Sequence, residues 1–418
     1  MEENACRIDD FGPLPVVQPQ NVTEVGDLVR RAAAEGQALY PLGGRTLLDI
    51  GLPPARPGLA VDLRALAHVL DYPARDMTIT VESGITLAQL QSLLATENQR
   101  LPVDVPRPEQ ATLGGALAAN VSGPRRLGFG TLRDYVIGIH TVNDEGQETK
   151  AGGRVVKNVA GYDLCKLHVG ALGTLGIISQ VTLKLRPLPE SKALVTFGCE
   201  TTALERLLDQ LHQTRTRPVC LDVLNSTAIR TIVRATGLNL PEAPWVIVAG
   251  FEDNGDAVGW QVRQLLQEIA PADIEGLEAR AGDASEALWH GLVEFTAQPA
   301  ASVTFKANLL PQAVASFCQQ TAAQPEPVRL HAHAGSGIVR GHLDGDLTLP
   351  RVTVMLKELT DTAVRAEGNL VVPRCPVEWK RELPIWGQER GDLGLMRQVK
   401  EKLDPKNIFN PGRFVGGI

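Results

Sequence analysis

The stretch VTEVGDLVRRAAAE, residues 22–35, places apolar side chains at 22, 25, 28, 29, 32 and 33. That is the spacing of one helix face, with Asn21 or Thr23 available as its N-cap. A short strand over 38–40 follows and hands the chain to a glycine pair in YPLGGRT. Residues 59–63 and 77–81 read as strands, and Thr86 caps a helix with Leu87, Leu90, Leu93 and Leu94 on one side. Residues 135–142 and 148–151, joined through Asp144-Glu145-Gly146, form a predicted hairpin. Val181, Leu183 and Leu185 alternate with Thr182 and Lys184 before Pro187 and Pro189 end the run, and a domain boundary is expected there.

Beyond that boundary the elements lengthen. Strand 193–199, helix 202–213, strands near 219–225 and 245–252 and helix 257–269 make one round. Strand 302–309, helix 311–321, strand 328–334, helix 351–366 and strand 369–373 make a second. Two such rounds predict an antiparallel sheet with helices on one face, so the expected fold class is α+β. Three parts are expected: residues 1–190, residues 191–392, and a C-terminal helix and tail over 393–418.

With 418 residues the chain can bury two or three cores. Its 41 basic and 48 acidic residues give a net charge of −7 without a long basic run, which argues against nucleic acid or an anionic membrane surface as the main partner. The longest apolar runs, such as 171–178, are glycine-interrupted and well short of the ~20 residues that cross a bilayer. The opening MEENACRIDD has neither the basic segment nor the apolar core of a signal peptide, so a cytoplasmic location without a membrane span is expected. Six cysteines are scattered without a CxxC pair, so neither an iron–sulfur cluster nor a zinc ribbon is encoded. Any electrons must travel on another carrier.

Candidate chemistry concentrates in glycine. Four segments stand out: Leu42-Gly43-Gly44-Arg45-Thr46, Thr112-Leu113-Gly114-Gly115, Val121-Ser122-Gly123 through Gly130, and GALGTLG at 170–176. Each can bring backbone N–H groups against phosphate oxygens, and each alone is as readily an ordinary turn. The standard nucleotide motifs fail on spacing. No Lys-Ser/Thr follows Gly44, and GALGTLG precedes a strand pattern where a dinucleotide fingerprint needs a helix. Taken together with VDL at 61–63, VESG at 81–84, GFGTLRD at 128–134, VKNVAGYD at 156–163 and NPGR at 410–413, the series resembles the FAD-binding PCMH-type flavoproteins, the vanillyl-alcohol oxidase group. Within that group, GGRVVKNVAGYDLCKLHVGALGTLGII and KLDPKNIFNPGRF are similar to the FAD-binding subunits of bacterial glycolate oxidases, and the likeness is looser over 190–390.

The resemblance implies a PCMH-type FAD-binding fold of two small α+β subdomains, an antiparallel-sheet α+β cap, and a tail that returns to the FAD domain. It implies an FAD pyrophosphate held by Pro41, Leu42, Gly43, Gly44, Arg45 and Thr46. Thr112, Leu113, Gly114, Gly115, Asn120, Ser122, Gly123 and Gly130 would line the dinucleotide. Gly173, Thr174, Gly176 and Ile177 would lie beside the adenosine half, and Asn410 to Gly412 would return to the flavin ring. Tyr162-Asp163 would support the flavin loop, or Tyr162 would pack on the ring. Covalent members carry a histidine after the first glycines. Arg45 stands in that place and no cysteine lies between Leu113 and Gly130, so noncovalent FAD is implied.

The related 2-hydroxyacid dehydrogenases use a segment resembling HxGDGNLH, and a later EHG, to place a divalent metal on the substrate. Here His333 matches the first histidine, Arg340 occupies the place of the second, and 366–376 reads AEGNLVVPRCP, so no metal is expected. His331 and His333 alternate along a strand, either as a surviving two-histidine site or as a satisfied or solvent-facing pair near a sheet edge. In that branch an arginine follows a tryptophan; LWHGLVEF at 288–295 has none. His333, Arg340 and Lys306 are the candidates for catalysis, with Arg374 beside them, and Lys306 is equally well a solvated strand lysine. His140 and His168 read as core or hydrogen-bonded residues, while Arg125-Arg126 and Arg154 with Lys157 read as a solvated face or as phosphate contacts. The implied role is the FAD-carrying subunit of a glycolate oxidase-type complex. A second flavoprotein subunit would oxidise a small 2-hydroxyacid and an iron–sulfur subunit would take the electrons on. A self-sufficient FAD-dependent 2-hydroxyacid dehydrogenase and a redox-silent, FAD-stabilised scaffold are the alternatives.

Overall fold

The computed structural model describes residues 5–153, 162–270, 272–297, 301–389 and 391–418. Arg154 and Lys157 lie outside them. The chain divides into two units, the first built from residues 1–121, 131–188 and 389–418 and the second from 122–130 and 189–388.

The first unit holds two larger sheets and a short pairing of Gln99–Arg100 with Arg186–Pro187. In one, the spatial order is Ala5–Ile8, Phe11–Val17, Gly58–Asp62 and Ala38–Leu42, and the last three strands run parallel. Helix Val22–Glu35 makes the crossover from Phe11–Val17 to Ala38–Leu42, the two strands that flank Gly58–Asp62. Asn21 caps that helix by accepting from the Glu24 N–H, and Gly36 ends it at φ 66°. The second sheet is antiparallel throughout, in the order Val69–Asp71, Thr78–Glu82, Ile177–Lys184, Val136–Val142 and Glu148–Gly152. The strand that follows GALGTLG therefore sits at its centre. Val25, Leu28, Val29 and Ala32 of the helix pack with Leu39 and Val61 of the first sheet, Val142 and Ile177 of the second, and Ile408 and Phe409 of the tail. One core thus ties both sheets to the C-terminus.

The second unit is one antiparallel sheet of eight strands. Its order is Glu275–Ala281, Ser191–Cys199, Trp245–Asp253, Cys220–Asn225, Val328–His333, Ile338–Leu343, Val303–Asn308 and Asn369–Arg374. The α+β class and the antiparallel sheet are as the pattern predicts. Two strands and two helices, Ser226–Thr236 and Gly282–Phe295, go beyond it. Glu275–Ala281 is an edge strand exposed at six of its seven residues, so it carries no apolar alternation to read. Ile338–Leu343 is buried but reads IVRGHL, whose arginine, glycine and histidine dilute the strand signal. Among the described residues no helix is long and apolar enough to cross a membrane.

His342 lies buried in the strand Ile338–Leu343, with its Nδ1 3.0 Å from the Thr304 hydroxyl. Burial, reinforced by Arg329 and Arg340, pushes its imidazole down to about 3 from the ordinary 6.5. Between those values the unfolded chain binds a proton that the folded chain refuses. The stability this residue contributes is therefore present above the unfolded value and is lost as pH falls, at up to about 1.4 kcal/mol per pH unit. Urea unfolding compared at about pH 7 and about pH 5 should show a smaller pH dependence for His342→Asn than for the native chain.

Candidate functional site

Strand Ala38–Leu42 delivers the first glycine pair onto residues 110–112. A Cβ on Gly43 would lie 2.0 Å from the Thr112 hydroxyl, and one on Gly44 would lie 1.7 Å from the Gln110 carbonyl oxygen. Only glycine lets the backbone pass there. The N–H groups of Gly43, Gly44, Arg45 and Thr46 meet no acceptor among the described residues, so the loop presents four adjacent unsatisfied donors. Arg45 follows at φ 57°, and its Nη2 lies 3.1 Å from Asp62 Oδ2. Asp62, buried at the end of Gly58–Asp62, also accepts from Arg64 through Nε at 2.9 Å and Nη2 at 2.6 Å. Burial opposes its charge, but the Arg64 hydrogen bonds and the Arg64 and Arg45 charges outweigh burial and hold the carboxyl below its ordinary range.

The far side of the loop is held by the tail. Arg413 donates from Nη2 to the Leu48 and Ile50 carbonyls, both at 2.8 Å, while its Nε and Nη1 are buried without a hydrogen-bond partner. The tail itself is fixed by Lys400, whose ammonium donates to Asp404 at 2.6 Å, the Thr174 carbonyl at 2.8 Å and the Phe409 carbonyl at 2.9 Å. Asp404 accepts in turn from the N–H groups of Ile408 and Phe409. Asn410 then bonds to Leu39 through its N–H and to the Leu172 carbonyl through its side-chain amide.

Two adjoining cavities, of about 410 and 630 Å³, open along this wall. They share Pro41, Leu42, Gly43, Thr112, Gly115, Ala118 and Leu172. Gly114, Gly173 and Gly176 line the first, and Gly44, Arg45, Thr46 and Asn410 line the second. Leu113, Thr174 and Ile177 lie behind the lining in the core. Asn120 ends helix Leu113–Ala119 at φ 48° and does not line either cavity, and Ser122, Gly123 and Gly130 belong to the second unit. Tyr162 is 95% exposed, and Asp163 meets Lys166 at 3.3 Å. The cavities add Ser83 and Arg413 to the expected set. Both stand inside quoted motifs, VESG and NPGR, and were hidden only because neither residue type is glycine. Unsatisfied backbone donors, a buried guanidinium with spare N–H groups and a second arginine fit a diphosphate.

In the second unit, His331 and His333 lie in the interior of the sheet rather than at its edge. Their strand pairs with Cys220–Asn225, which brings up Asp222, a residue that no local motif marks. All three are buried, with His331 Nε2 2.6 Å from Asp222 Oδ2 and His333 Nδ1 2.9 Å from Oδ1. Burial opposes the Asp222 charge, but the two imidazoles prevail and hold it below the carboxylate range, while burial keeps His333 below its own ordinary value. Each ring sets one nitrogen against the same carboxylate. The three side chains offer metal-ligand atoms within 4.8 Å of one another, and His331 Nδ1 and His333 Nε2 are buried without a hydrogen-bond partner. Lys306 and Arg340 face each other on neighbouring strands. Arg374 lies on the edge strand Asn369–Arg374, opposite Thr304. Arg125 is committed internally, with its Nε 2.8 Å from Glu252 and its guanidinium 4.1 Å over the Trp289 ring. His140 Nδ1 lies 3.5 Å from Glu148, and burial pushes His168 down to about 4.

Sequence comparison agrees with this geometry. An "FAD binding domain" profile matches residues 13–152 and an "FAD linked oxidases, C-terminal domain" profile matches 386–414, the tail that carries Asn410 and Arg413. The solved structure of p-cresol methylhydroxylase with substrate bound has a TM-score of 0.70 at 16% identity, over 95% of this chain and 88% of that one. The chain carries an FAD-binding domain and shares the fold of the PCMH-type flavoproteins. The flavoprotein is 25% identical to glycolate oxidase subunit GlcD of Bacillus subtilis (strain 168) over 425 residues, 96% of this chain and 89% of the relative. Over 164 residues, 39% of this chain and 46% of the relative, it is 34% identical to glycolate oxidase subunit GlcE of Escherichia coli (strain K12). The flavoprotein is an FAD-linked oxidoreductase.

The tightest approach in the cradle gives a direct test. A methyl group on residue 44 must push the loop off Gln110, so Gly44→Ala should weaken FAD binding by roughly tenfold to a hundredfold. The flavin-to-protein absorbance ratio after gel filtration should fall while far-ultraviolet circular dichroism stays unchanged.

Proposed function

We propose that the flavoprotein is the FAD-carrying subunit of a glycolate oxidase-type complex that oxidises a small 2-hydroxyacid. One contrast carries the reading: the glycine loop of the first unit lines a cavity with Arg45, Asn410 and Arg413, whereas the second unit has Arg340 where the resemblance leads one to look for a second metal-binding histidine. Asp222, the carboxylate nearest to His333, is already shared by two imidazoles. Glycolate oxidase subunits among its relatives support the same reading.

FAD, when bound, accepts a hydride from carbon and passes electrons on. The chain's own residues bind and orient it. Gly43 to Thr46 and Arg413 would hold the pyrophosphate, Thr112, Gly114 and Gly115 the dinucleotide wall, and Asn410 the end nearest the tail. Arg45 is tied to Asp62 at the position where covalent members carry histidine, which supports a noncovalent flavin. A second flavoprotein subunit would hold the substrate oxidation centre, in keeping with Arg340 standing where a second metal-binding histidine is looked for. The six cysteines are buried and free, so an iron–sulfur subunit would take the electrons. The complex would be cytoplasmic, and any membrane association would come through another subunit.

Purified alone, the chain should retain FAD yet turn over glycolate or D-lactate at less than about 1 per second, and ordinary enzyme rates would instead favour a self-sufficient dehydrogenase. Purified from its host, it should bring a second flavoprotein and a cysteine-rich chain. If its flavin stays oxidised when that complex receives substrate, the scaffold reading replaces this one. Acid denaturation should release all the flavin into solution; flavin left on the polypeptide would contradict noncovalent binding.

A further inference from the structure

We propose that residues 47–56 form a lid on the cofactor cavity, clasped by the C-terminal tail, and that a diphosphate in the cradle locks the clasp through Arg413. The lock rests on the reading above that Arg413 holds the cofactor diphosphate, and the lid adds a motion to it.

The lid is a part of the cavity wall without regular structure. Residues 43–57 join Ala38–Leu42 to Gly58–Asp62 with neither helix nor strand, and Leu47 and Leu48 line the same cavity as Gly44, Arg45 and Arg413. Such a segment has no ladder of its own, so its backbone groups find their partners elsewhere. Its ends are fixed by side chains. Arg107 donates to the Thr46 carbonyl at one end. At the other, the Arg56 carbonyl accepts from the Tyr40 hydroxyl at 2.5 Å, and the Arg56 guanidinium donates to the Asn407 carbonyl at 2.8 Å.

The middle of the lid is held by the tail. Leu52 N–H donates to the Arg413 carbonyl and Ala55 N–H to the Pro411 carbonyl, both at 3.0 Å. Arg413 Nη2 donates back to the Leu48 and Ile50 carbonyls, so four bonds converge on two tail residues. Gly412 between them permits the approach, since its φ is 87° and a Cβ there would lie 2.6 Å from the Ala55 Cβ. The bonds of Lys400 and Asp404 to the tail end at Phe409, before the clasp, so the clasp can open while the rest of the tail stays fastened.

What the clasp lacks is an anion. Arg413 Nε and Nη1 are buried without a hydrogen-bond partner. Burial lowers the guanidinium below its ordinary value although the Asp9 and Asp49 charges oppose that shift. A guanidinium does not shed its proton near neutral pH, so its spare donors are satisfied either by an anion in the cavity or by water once the clasp opens. A diphosphate therefore favours the closed lid, an empty cavity raises the open population, and closure in turn slows loss of the cofactor.

Hydrogen–deuterium exchange of the full chain, read by mass spectrometry, tests the lid. Peptides within 48–56 contain the Leu52 and Ala55 amides, whose acceptors are the tail carbonyls. They should exchange roughly tenfold faster after flavin removal than with FAD bound, while helix Val22–Glu35 changes by less than about twofold. Inorganic pyrophosphate added to the flavin-free chain should slow the same peptides, and chloride at equal ionic strength should not. In Arg413→Gln these peptides should exchange fast even with FAD present, and FAD should dissociate roughly tenfold faster than from the native chain. Flavin absorbance separates failure of the lid from failure of the cradle. If the native chain carries FAD and 48–56 exchange alike with and without it, or if the helix loosens as much as 48–56, the lid is overturned and the cradle stands. Pyrophosphate that protects no better than chloride would overturn the lock at Arg413. A native chain that takes up no FAD would overturn cradle and lid together.

Discussion

The candidate flavin cradle depends on one steric fact: the backbone at Gly43 and Gly44 passes closer to Thr112 and Gln110 than any Cβ permits. That approach leaves the loop no room to fold onto itself, so its N–H groups stay without internal partners. Unsatisfied donors destabilise an isolated fold and become an asset once an anion takes them. The surrounding residues hold the loop open until then. Asp62 ties Arg45 and Arg64 on one side, and Arg413 grips the Leu48 and Ile50 carbonyls on the other.

Arg413 reaches the loop from more than 350 residues along the chain. Closing so long a separation costs only slowly more as chain is inserted, so a tail can return past a whole second unit provided something fastens it. Lys400 and Asp404 do the fastening. An ion pair this deep gains little over apolar packing, because desolvation nearly cancels attraction. Its value is directional: the Lys400 ammonium reaches carbonyls of the 170–176 segment and of the tail at once, and Asp404 fixes the two N–H groups between them. An apolar pair of equal volume would pack without specifying that register.

What the sequence made legible followed from local rules. Helix Val22–Glu35 announced itself by period and cap, and the strand after GALGTLG by alternation, which is what excluded the common dinucleotide fold. The glycines of the cradle were legible because their freedom is chemical and local. Arg413 and Ser83 were harder, since an arginine or serine acquires its role only from what the fold sets against it. Asp222 was not legible at all. It lies 109 residues from His331 and meets it only through the pairing of two strands. The same non-local register sets Lys306 against Arg340, and a strand read as IVRGHL conceals it because its buried polar residues break the apolar pattern. Ser122 to Gly130 show the converse limit, for glycine-rich sequence alone does not say to which unit a segment belongs.

Backbone donors and side-chain cations hold an anion by different physics. Backbone N–H groups carry no net charge, cannot titrate and lose no side-chain rotamers when they bind, so they can be stacked four in a row without repelling one another. Side-chain cations attract an anion more strongly, but they titrate and repel one another while it is away. A cofactor that must remain in place through many turnovers suits the first arrangement, which changes little with pH.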